Sequence, residues 1–130
     1  MKRLLDTNAY TALKRGDERV AALVRESSEL LFSIVVVGEL LFGFRNGTRY
    51  DRSVKELDEL LLEPRVSVLT MTRSTADRFG RIASKLRKAG TPIPTNDIWI
   101  AAHVFESGGE LVSFDEHFKA VDGLVWMKPG

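Results

Sequence analysis

The sequence contains no cysteine, which excludes a disulfide framework, a thiolate-bound zinc or iron–sulfur site, and a thiol nucleophile. It has only two histidines, His103 and His117, so a site with three imidazole ligands is excluded as well. No apolar run approaches the ~20 residues needed to cross a bilayer. Asp6 interrupts the apolar N-terminus too early for a signal peptide. These absences predict a cytoplasmic protein without a membrane partner.

The chain also lacks an excess of charge of either sign. It has 19 basic and 18 acidic residues, a net charge of +1. A surface devoted to nucleic acid as a whole would be strongly basic, so the total by itself argues against that class. With 130 residues, of which 44% are hydrophobic, the chain is long enough for one domain with its own core, spanning 1–130.

Short apolar segments alternate with longer amphipathic ones. The alternation predicts an α/β fold: one domain with a central, mostly parallel sheet of about four to five short strands and helices on both faces. The expected strands are Arg3–Asp6, Leu30–Val35, Val66–Leu69, Glu110–Ser113 and Leu124–Met127. The expected helices are Ala9–Arg15, one starting at Asp17, one starting between Ser33 and Val36, Asp51–Leu62, Thr72–Ala89 and Asp97–Glu106, followed by a turn at Asp115–Phe118.

Polar residues suggest where some of these helices begin and which faces they bury. Thr7 is the expected cap of the first helix, and Thr95 or Asn96 that of the last. On the helix that ends at Ala89, helical spacing predicts a buried face made of Ala76, Phe79, Ile82, Ala83 and Leu86.

Acidic residues follow the predicted strands. Asp6 closes the first strand, Glu39 follows the second, Asp97 opens the last helix, and Asp115 follows the strand Glu110–Ser113. In parallel sheets, ligands bind beyond the carboxyl ends of the strands, so all four side chains are expected at one edge. An acid in the first turn of a helix is also stabilised by the helix dipole, which is the simpler explanation for Asp97 and Asp115 taken singly.

Glu39 is harder to explain in that way, because valines and leucines surround it in the sequence. A buried acid must be paired, protonated or bound to a metal. Four carboxylates in one cleft repel each other and raise each other's pKa, and a divalent cation removes that repulsion. Ligands that are all oxygen, with no thiolate and little imidazole, predict Mg²⁺ or Mn²⁺, ions that commonly serve phosphoryl chemistry.

Four motifs in order carry a resemblance to a known family. They are Leu5-Asp6-Thr7-Asn8, Gly38-Glu39-Leu40, the run from Thr95 through Asn96-Asp97 to Ala102, and Ser113-Phe114-Asp115-Glu116-His117-Phe118. Each motif is short, but together they resemble the PIN domain over the whole chain. The specific similarity is to the VapC-type ribonuclease toxins of bacterial and archaeal toxin–antitoxin pairs.

The resemblance implies a Mg²⁺- or Mn²⁺-dependent endoribonuclease that cleaves cellular RNA such as tRNA or rRNA. It implies that Asp6, Glu39, Asp97 and Asp115 are both the catalytic residues and the metal ligands, with Asn8 and Ser113 supporting the site. It also implies a homodimer and a VapB-like antitoxin that forms a hetero-oligomer with the toxin. Phe114 departs from the family pattern, in which many members have Asn at this position.

Basic residues are the candidates for RNA binding. Arg45 lies in one basic stretch, and Arg78, Arg81 and Lys85 share one face of a helix, where they form a possible phosphate track toward the acidic cleft. The bland alternative is a solvated surface. If the four site acids are set aside, the 18 acidic residues fall to 14 against 19 basic ones, a charge of +5. The near-neutral total therefore predicts an acidic pocket within a moderately basic surround.

Two other functions and three aromatic residues stay open at this stage. The chain is alternatively a non-catalytic or RNA-processing PIN module, or a phosphohydrolase with Asp6 as the nucleophile. The last chemistry usually needs a second Asp two positions on, where this sequence has Asn8. His117 and His103 are more readily structural than catalytic, and Trp99 favours packing over stacking on a base.

Overall fold

The computed structural model describes all residues from 1 to 130. Five strands form one sheet in the order β3-β2-β1-β4-β5, and every neighbouring pair is parallel. The strands are β1 Lys2–Leu5, β2 Glu29–Ser33, β3 Val66–Leu69, β4 Glu110–Val112 and β5 Trp126–Met127. The predicted α/β class and parallel sheet are therefore confirmed.

Six α-helices surround the sheet, and a 3₁₀ helix, Glu116–Ala120, lies between β4 and β5. The helices are α1 Thr7–Lys14, α2 Glu18–Glu26, α3 Ile34–Arg45, α4 Tyr50–Leu61, α5 Arg73–Ala89 and α6 Thr95–Ser107. Leu4 and Leu5 of the central strand project to opposite faces of the sheet, and each is only 1% exposed. Both faces are thus covered, as the alternating pattern predicted.

The main core lies between the sheet and the helices and holds 18 buried residues. Leu4 sits in register with Leu31 on one side and Leu111 on the other. These continuous apolar strands are typical of a parallel sheet that is buried on both faces. Their burial fixes the carboxyl ends of β1, β2 and β4, and the acidic residues follow those ends.

The cap assignments for α1 and α6 were wrong. Asp6, and not Thr7, caps α1: its Oδ1 accepts the Thr7 N–H at 2.8 Å. Helix α6 begins at Thr95, and no side chain caps it, because its N-cap residue is Pro94, whose ring has no hydrogen-bond acceptor. Thr95 and Asn96 are therefore helical residues. The β2–α3 junction falls at Ser33, within the predicted window, with the Ser33 hydroxyl accepting the Val35 N–H.

The predicted buried face of α5 is mostly not buried. Leu86 is buried, but Phe79, Ile82 and Ala83 are half-buried and Ala76 is exposed. The reason is that α5 packs on α6 and makes little contact with any other element. Phe79 stacks on Trp99 of α6 with ring centroids 4.1 Å apart, which assigns the half-buried Trp99 a packing contact.

None of the helices combines the length and the apolar character that spanning a membrane requires.

Candidate active site and metal centre

An open pocket of about 740 Å³ lies at the carboxyl edge of the sheet and brings the four predicted acids together. Asp6 directly follows β1, and Asp115 follows β4 just before the 3₁₀ helix. Glu39 lies on α3 and Asp97 in the first turn of α6. The four carboxylates are separated by up to 109 residues in the chain, and the parallel topology is what gathers them in one place.

Asp6 forms the buried floor of the pocket and is only 5% exposed. Its Oδ2 accepts the Ser113 hydroxyl at 2.6 Å, and its Oδ1 accepts the Thr7 N–H. Burial is the largest influence on this carboxyl and raises its pKa to about 6. The two hydrogen bonds lower the pKa, while the nearby charges of Asp97 and Glu39 raise it further.

Glu39 is half-buried, and both of its oxygens are held by side chains. The Thr7 hydroxyl donates to Oε1 at 2.6 Å, and the Asn96 amide donates to Oε2 at 3.2 Å. The carboxylate is therefore oriented by groups from α1 and α6, at either side of the pocket. The sequence analysis considered Thr7 and Asn96 only as helix caps and did not predict them as site residues, although each is adjacent to a predicted site acid.

His117 joins Asp97 and Asp115 at the rim of the pocket. Its Nδ1 lies 3.0 Å from Asp97 Oδ2 and 3.0 Å from Asp115 Oδ1. Carboxylates only accept, so Nδ1 carries the hydrogen. The hydrogen bond to Asp97 is the main reason that the pKa of His117 is raised. Burial raises the pKa of Asp97, and the same hydrogen bond partly offsets that rise.

Asn8 and Ser113 lie directly behind the acids. Asn8 Oδ1 accepts the Phe114 N–H at 3.1 Å, and Asn8 Nδ2 donates to Ser113 Oγ at 3.4 Å. The Ser113 hydroxyl also accepts the Asp115 N–H at 3.0 Å, so this one group contacts the surroundings of two of the acids. Asn8 lines the pocket, but its side chain is engaged with the backbone after β4 and offers an amide where the phosphohydrolase chemistry would need a second acid. Phe114 contributes its N–H here, so the side-chain departure from the family pattern leaves this contact intact.

The pocket carries negative charge that the protein does not neutralise. No Lys or Arg side chain lies within ion-pair distance of Asp6, Glu39, Asp97 or Asp115, and His117 is their one cationic partner. Oxygen ligands of this kind suit Mg²⁺ or Mn²⁺. Asp97, Asp115 and His117 place three ligand atoms within 4.8 Å of one another, a spacing that can hold a metal ion. The residues present therefore fit a divalent cation.

The basic candidates occupy different places from one another. Arg45 is exposed, with its guanidinium 4.4 Å from the centre of the Tyr50 ring. Arg78, Arg81 and Lys85 line a separate groove of about 420 Å³, none of whose lining residues belongs to the acidic pocket. The basic residue that does line the acidic pocket is Arg15, at the end of α1. The sequence pattern did not predict it, because Arg15 is followed by Gly16 and Asp17 and belongs to neither basic stretch.

The two histidines have opposite surroundings. His103 is 1% exposed, and its Nε2 lies 3.1 Å from the Thr70 carbonyl, which requires the hydrogen on Nε2. In the neutral ring, Nδ1 then accepts the Ser33 hydroxyl at 2.8 Å. His103 thus ties α6 to the ends of β2 and β3, a structural role, while His117 lies at the site. The spacing Asp115-x-His117 was the available signal, since the 3₁₀ turn brings these two side chains together.

Known proteins match this chain in both sequence and fold. The PIN domain family profile matches residues 3–124. The chain is 30% identical over 129 residues to Ribonuclease VapC1 of Haemophilus influenzae strain R2866, covering 95% of this chain and 94% of that protein. The structure of VapBC-1 from nontypeable Haemophilus influenzae superimposes with a TM-score of 0.85 at 27% identity, covering 98% of each chain.

A more distant neighbour has the same fold. VapBC-5 from Mycobacterium tuberculosis, a member of the VapBC family of toxin-antitoxin systems, superimposes with a TM-score of 0.71 at 22% identity over 98% of this chain and 97% of that one. The profile match and the relative matched over nearly its whole length identify the family. The chain belongs to the PIN domain family, in its VapC group.

Proposed function

We propose that this protein is a VapC-like endoribonuclease toxin that depends on Mg²⁺ or Mn²⁺, cleaves cellular RNA such as tRNA or rRNA, and is inhibited by a cognate VapB-like antitoxin. The observation that carries the proposal is the open pocket in which four carboxylates converge without a lysine or arginine partner. The similarity to Ribonuclease VapC1 over nearly the whole chain supports the same activity.

Asp6, Glu39, Asp97 and Asp115 are the residues that would hold the divalent cation. When bound, such an ion supplies positive charge to the scissile phosphate and activates water at neutral pH. The four carboxylates leave the pocket negatively charged, so a cation held there would also allow a polyanion to approach. Mg²⁺ and Mn²⁺ both fit the oxygen-rich set of ligands.

The surrounding residues orient the carboxylates before any ligand arrives. The Ser113 hydroxyl fixes Asp6, and the Thr7 hydroxyl and Asn96 amide fix the two oxygens of Glu39. Hydrogen bonds of this kind around a metal site matter because they set the direction of each ligand oxygen. His117 holds Asp97 and Asp115 at a common distance of 3.0 Å from its Nδ1.

The proposed partners follow from the relatives. The VapBC-1 structure and the toxin-antitoxin neighbour support a VapB-like antitoxin and a hetero-oligomeric complex. We propose in addition that the toxin is a homodimer and that it acts in the cytoplasm, where its RNA substrates are.

The test combines a cell assay with a purified one. Expression of the wild-type chain should arrest growth, co-expression of a cognate antitoxin should relieve the arrest, and mapped RNA ends should identify the substrate. The purified protein should cleave that RNA with Mg²⁺ or Mn²⁺ and stop when a chelator is added. D6N and D97N should each lower the rate by at least about 100-fold, because loss of a ligand exceeds the usual effect of an outer-shell partner.

Glu116 provides the matched control. It is an exposed acid next to Asp115 in sequence, but it pairs with Lys119 at 2.7 Å and with Lys128 at 3.6 Å. E116Q removes one negative charge close to the site without touching the pocket, so it should retain activity. Full ribonuclease activity in folded, pure D6N protein would contradict the proposal, and metal-independent cleavage would contradict its metal dependence.

A further inference from the structure

A second groove adjoins the acidic pocket and is lined in part by basic residues. It measures about 480 Å³ and lies between α1 on one side and the end of α3 and the first half of α4 on the other. The acidic pocket and this groove share the lining residues Thr11 and Arg15, so the two are neighbours on either side of the end of α1. Its lining residues are Tyr10, Thr11, Lys14, Arg15, Phe44, Arg49, Ser53 and Glu56.

Two arginines along this groove are free to bind an anion. Arg15 and Arg49 are both exposed, and neither has a carboxylate within ion-pair distance. Lys14 is different, since its ammonium pairs with Glu56 at 3.1 Å. A free guanidinium is well suited to phosphate because its planar fork donates two parallel hydrogen bonds.

Tyr10 gives an independent sign that something enters the groove. The residue is 2% exposed, yet its hydroxyl has no hydrogen-bond partner in the protein. An unsatisfied buried hydroxyl costs about 1–3 kcal/mol, and such groups are commonly completed by a ligand or an ordered water. Tyr10 lines the groove, so its covered hydroxyl can donate to an acceptor oxygen bound there once the side chains that cover it shift.

We propose that the RNA strand leaves the acidic pocket over Arg15 and follows this groove, with backbone phosphates next to the scissile one bound by Arg15 and Arg49. This inference rests on the proposed ribonuclease function. The acidic pocket repels every phosphate except one neutralised by a cation, so the adjoining phosphates need cationic partners outside it. The groove supplies them at the point where the pocket ends.

The groove beside α5 fits a strand less well. Arg81 pairs with Asp77 at 3.0 Å, Lys85 with Asp122 at 3.1 Å and Lys119 with Glu116 at 2.7 Å, so three of its four cations are already engaged. It also shares no lining residue with the acidic pocket. A strand that runs from the pocket therefore reaches Arg15 before any residue of α5.

The experiment measures RNA binding apart from cleavage. In a D97N background, which the proposed function makes inactive, the Kd for bulk tRNA and for a short fluorescent oligouridine is measured over a range of salt concentrations. The R15A/R49A double variant should weaken binding on the order of tenfold and lower the slope of log Kd against log salt by about 1.4, since each contact with a single strand contributes about 0.7. In the active background, KM should rise while kcat changes little.

Two further variants keep the result interpretable. R73A/R87A removes two exposed arginines of α5 that have no ion pair, so it matches the charge change and should leave both the Kd and the salt slope unchanged. Y10F should weaken RNA binding without lowering thermal stability, because the hydroxyl that it removes has no partner in the protein.

The outcomes separate the two proposals. If the wild-type protein neither binds nor cleaves RNA, the proposed function fails. If it cleaves RNA but R15A/R49A keeps the wild-type KM and salt slope, the path fails and the function stands. A fall in salt slope for R78A/R81A in place of R15A/R49A moves the strand to the α5 groove and overturns the inference. So does a double variant that binds RNA normally but escapes inhibition by the antitoxin, because the groove is then a protein-binding surface.

Discussion

The pocket has a buried floor and an exposed rim, and the two are held in different ways. Asp6 and Ser113, on the floor, are 5% and 0% exposed and hydrogen bond to each other and to the backbone. At the rim, the side chains of Asp115 and His117 are 32% and 50% exposed. Asp115 hydrogen bonds to His117, and His117 hydrogen bonds to Asp115 and Asp97. The buried core therefore positions the floor residues, whereas the rim residues are positioned mainly by their hydrogen bonds to one another.

This difference separates two kinds of effect that a substitution can have. A floor residue contributes to the packing of the sheet edge as well as to the site, so changing it alters stability and function together. A rim residue is solvated in the absence of ligand, so changing it alters function alone. The two histidines differ in the same way: His103 is buried between α6 and the ends of β2 and β3, and His117 lies at the rim.

The largest effect on stability is expected from H103A. The substitution empties a fully buried position and leaves the Ser33 hydroxyl and the Thr70 carbonyl without their partner. Cavity formation and two lost hydrogen bonds should lower the free energy of unfolding by about 4 kcal/mol. Urea denaturation measures this directly. A loss below about 1 kcal/mol would show that the burial and hydrogen bonds of His103 contribute little to the stability of the fold.

Replacing Asp6 should have the opposite effect and raise the stability of the protein, because burial disfavours its ionised carboxylate. Its pKa is raised from 3.8 to about 6 in the folded protein. The folded state thus binds more protons than the unfolded one in this range, and stability falls as pH rises from about 4 to above 6. At pH 8 without metal the ionised carboxylate destabilises the fold by about 3 kcal/mol.

D6N removes that penalty and should therefore be more stable than the wild type at pH 8 in EDTA. The advantage should vanish at pH 3.5, where the wild-type carboxyl is protonated in both states. Added Mn²⁺ should stabilise the wild type and not the variant, by mass action. Equal stability of the two proteins across the whole pH range would mean that Asp6 carries no such strain.

Much of the floor was predictable from the sequence, and much of the rim was not. Asp6 and Ser113 stand at strand ends, and parallel strands bring their carboxyl ends to one edge whatever the loops do. The contact of His117 with Asp97 joins residues 20 positions apart through the packing of the 3₁₀ helix on α6, which no local pattern encodes. Arg15 escaped notice for a similar reason, since its importance lies in the two cavities that meet beside it.

The errors in the helices also have local causes. Asp6 and Thr7 are both good capping residues, and only the backbone at Asp6, extended with φ of −73° and ψ of 165°, decides between them. Helical spacing on α5 identifies an apolar stripe but not the width of its partner. Since α5 packs mainly on α6, the stripe is only partly covered.

S113A tests whether the floor orients the site acids. Its hydroxyl donates to Asp6 and accepts from the Asp115 N–H, so its loss frees one acid and loosens the loop that carries another. Activity should fall by about 10- to 100-fold, the usual range for a group that orients a metal ligand. S113T keeps the hydroxyl and should restore most of the rate, whereas a mere packing role would leave S113A and S113T indistinguishable in activity at matched stability.

The smallest effect is expected from H117A, and it defines the rim most sharply. The imidazole is half exposed and holds no core residue, so the free energy of unfolding should change by less than about 0.5 kcal/mol. Asp97 and Asp115 lose their common hydrogen-bond donor, so the affinity for Mn²⁺ and Mg²⁺, measured by calorimetry, should fall by about tenfold, the lower end of the usual range for such a partner. A loss as large as that of D97N would make the imidazole itself a ligand. A gain in affinity would mean instead that His117 competes with the metal ion for the two carboxylates, and in either case the rim would no longer be a passive edge of the floor.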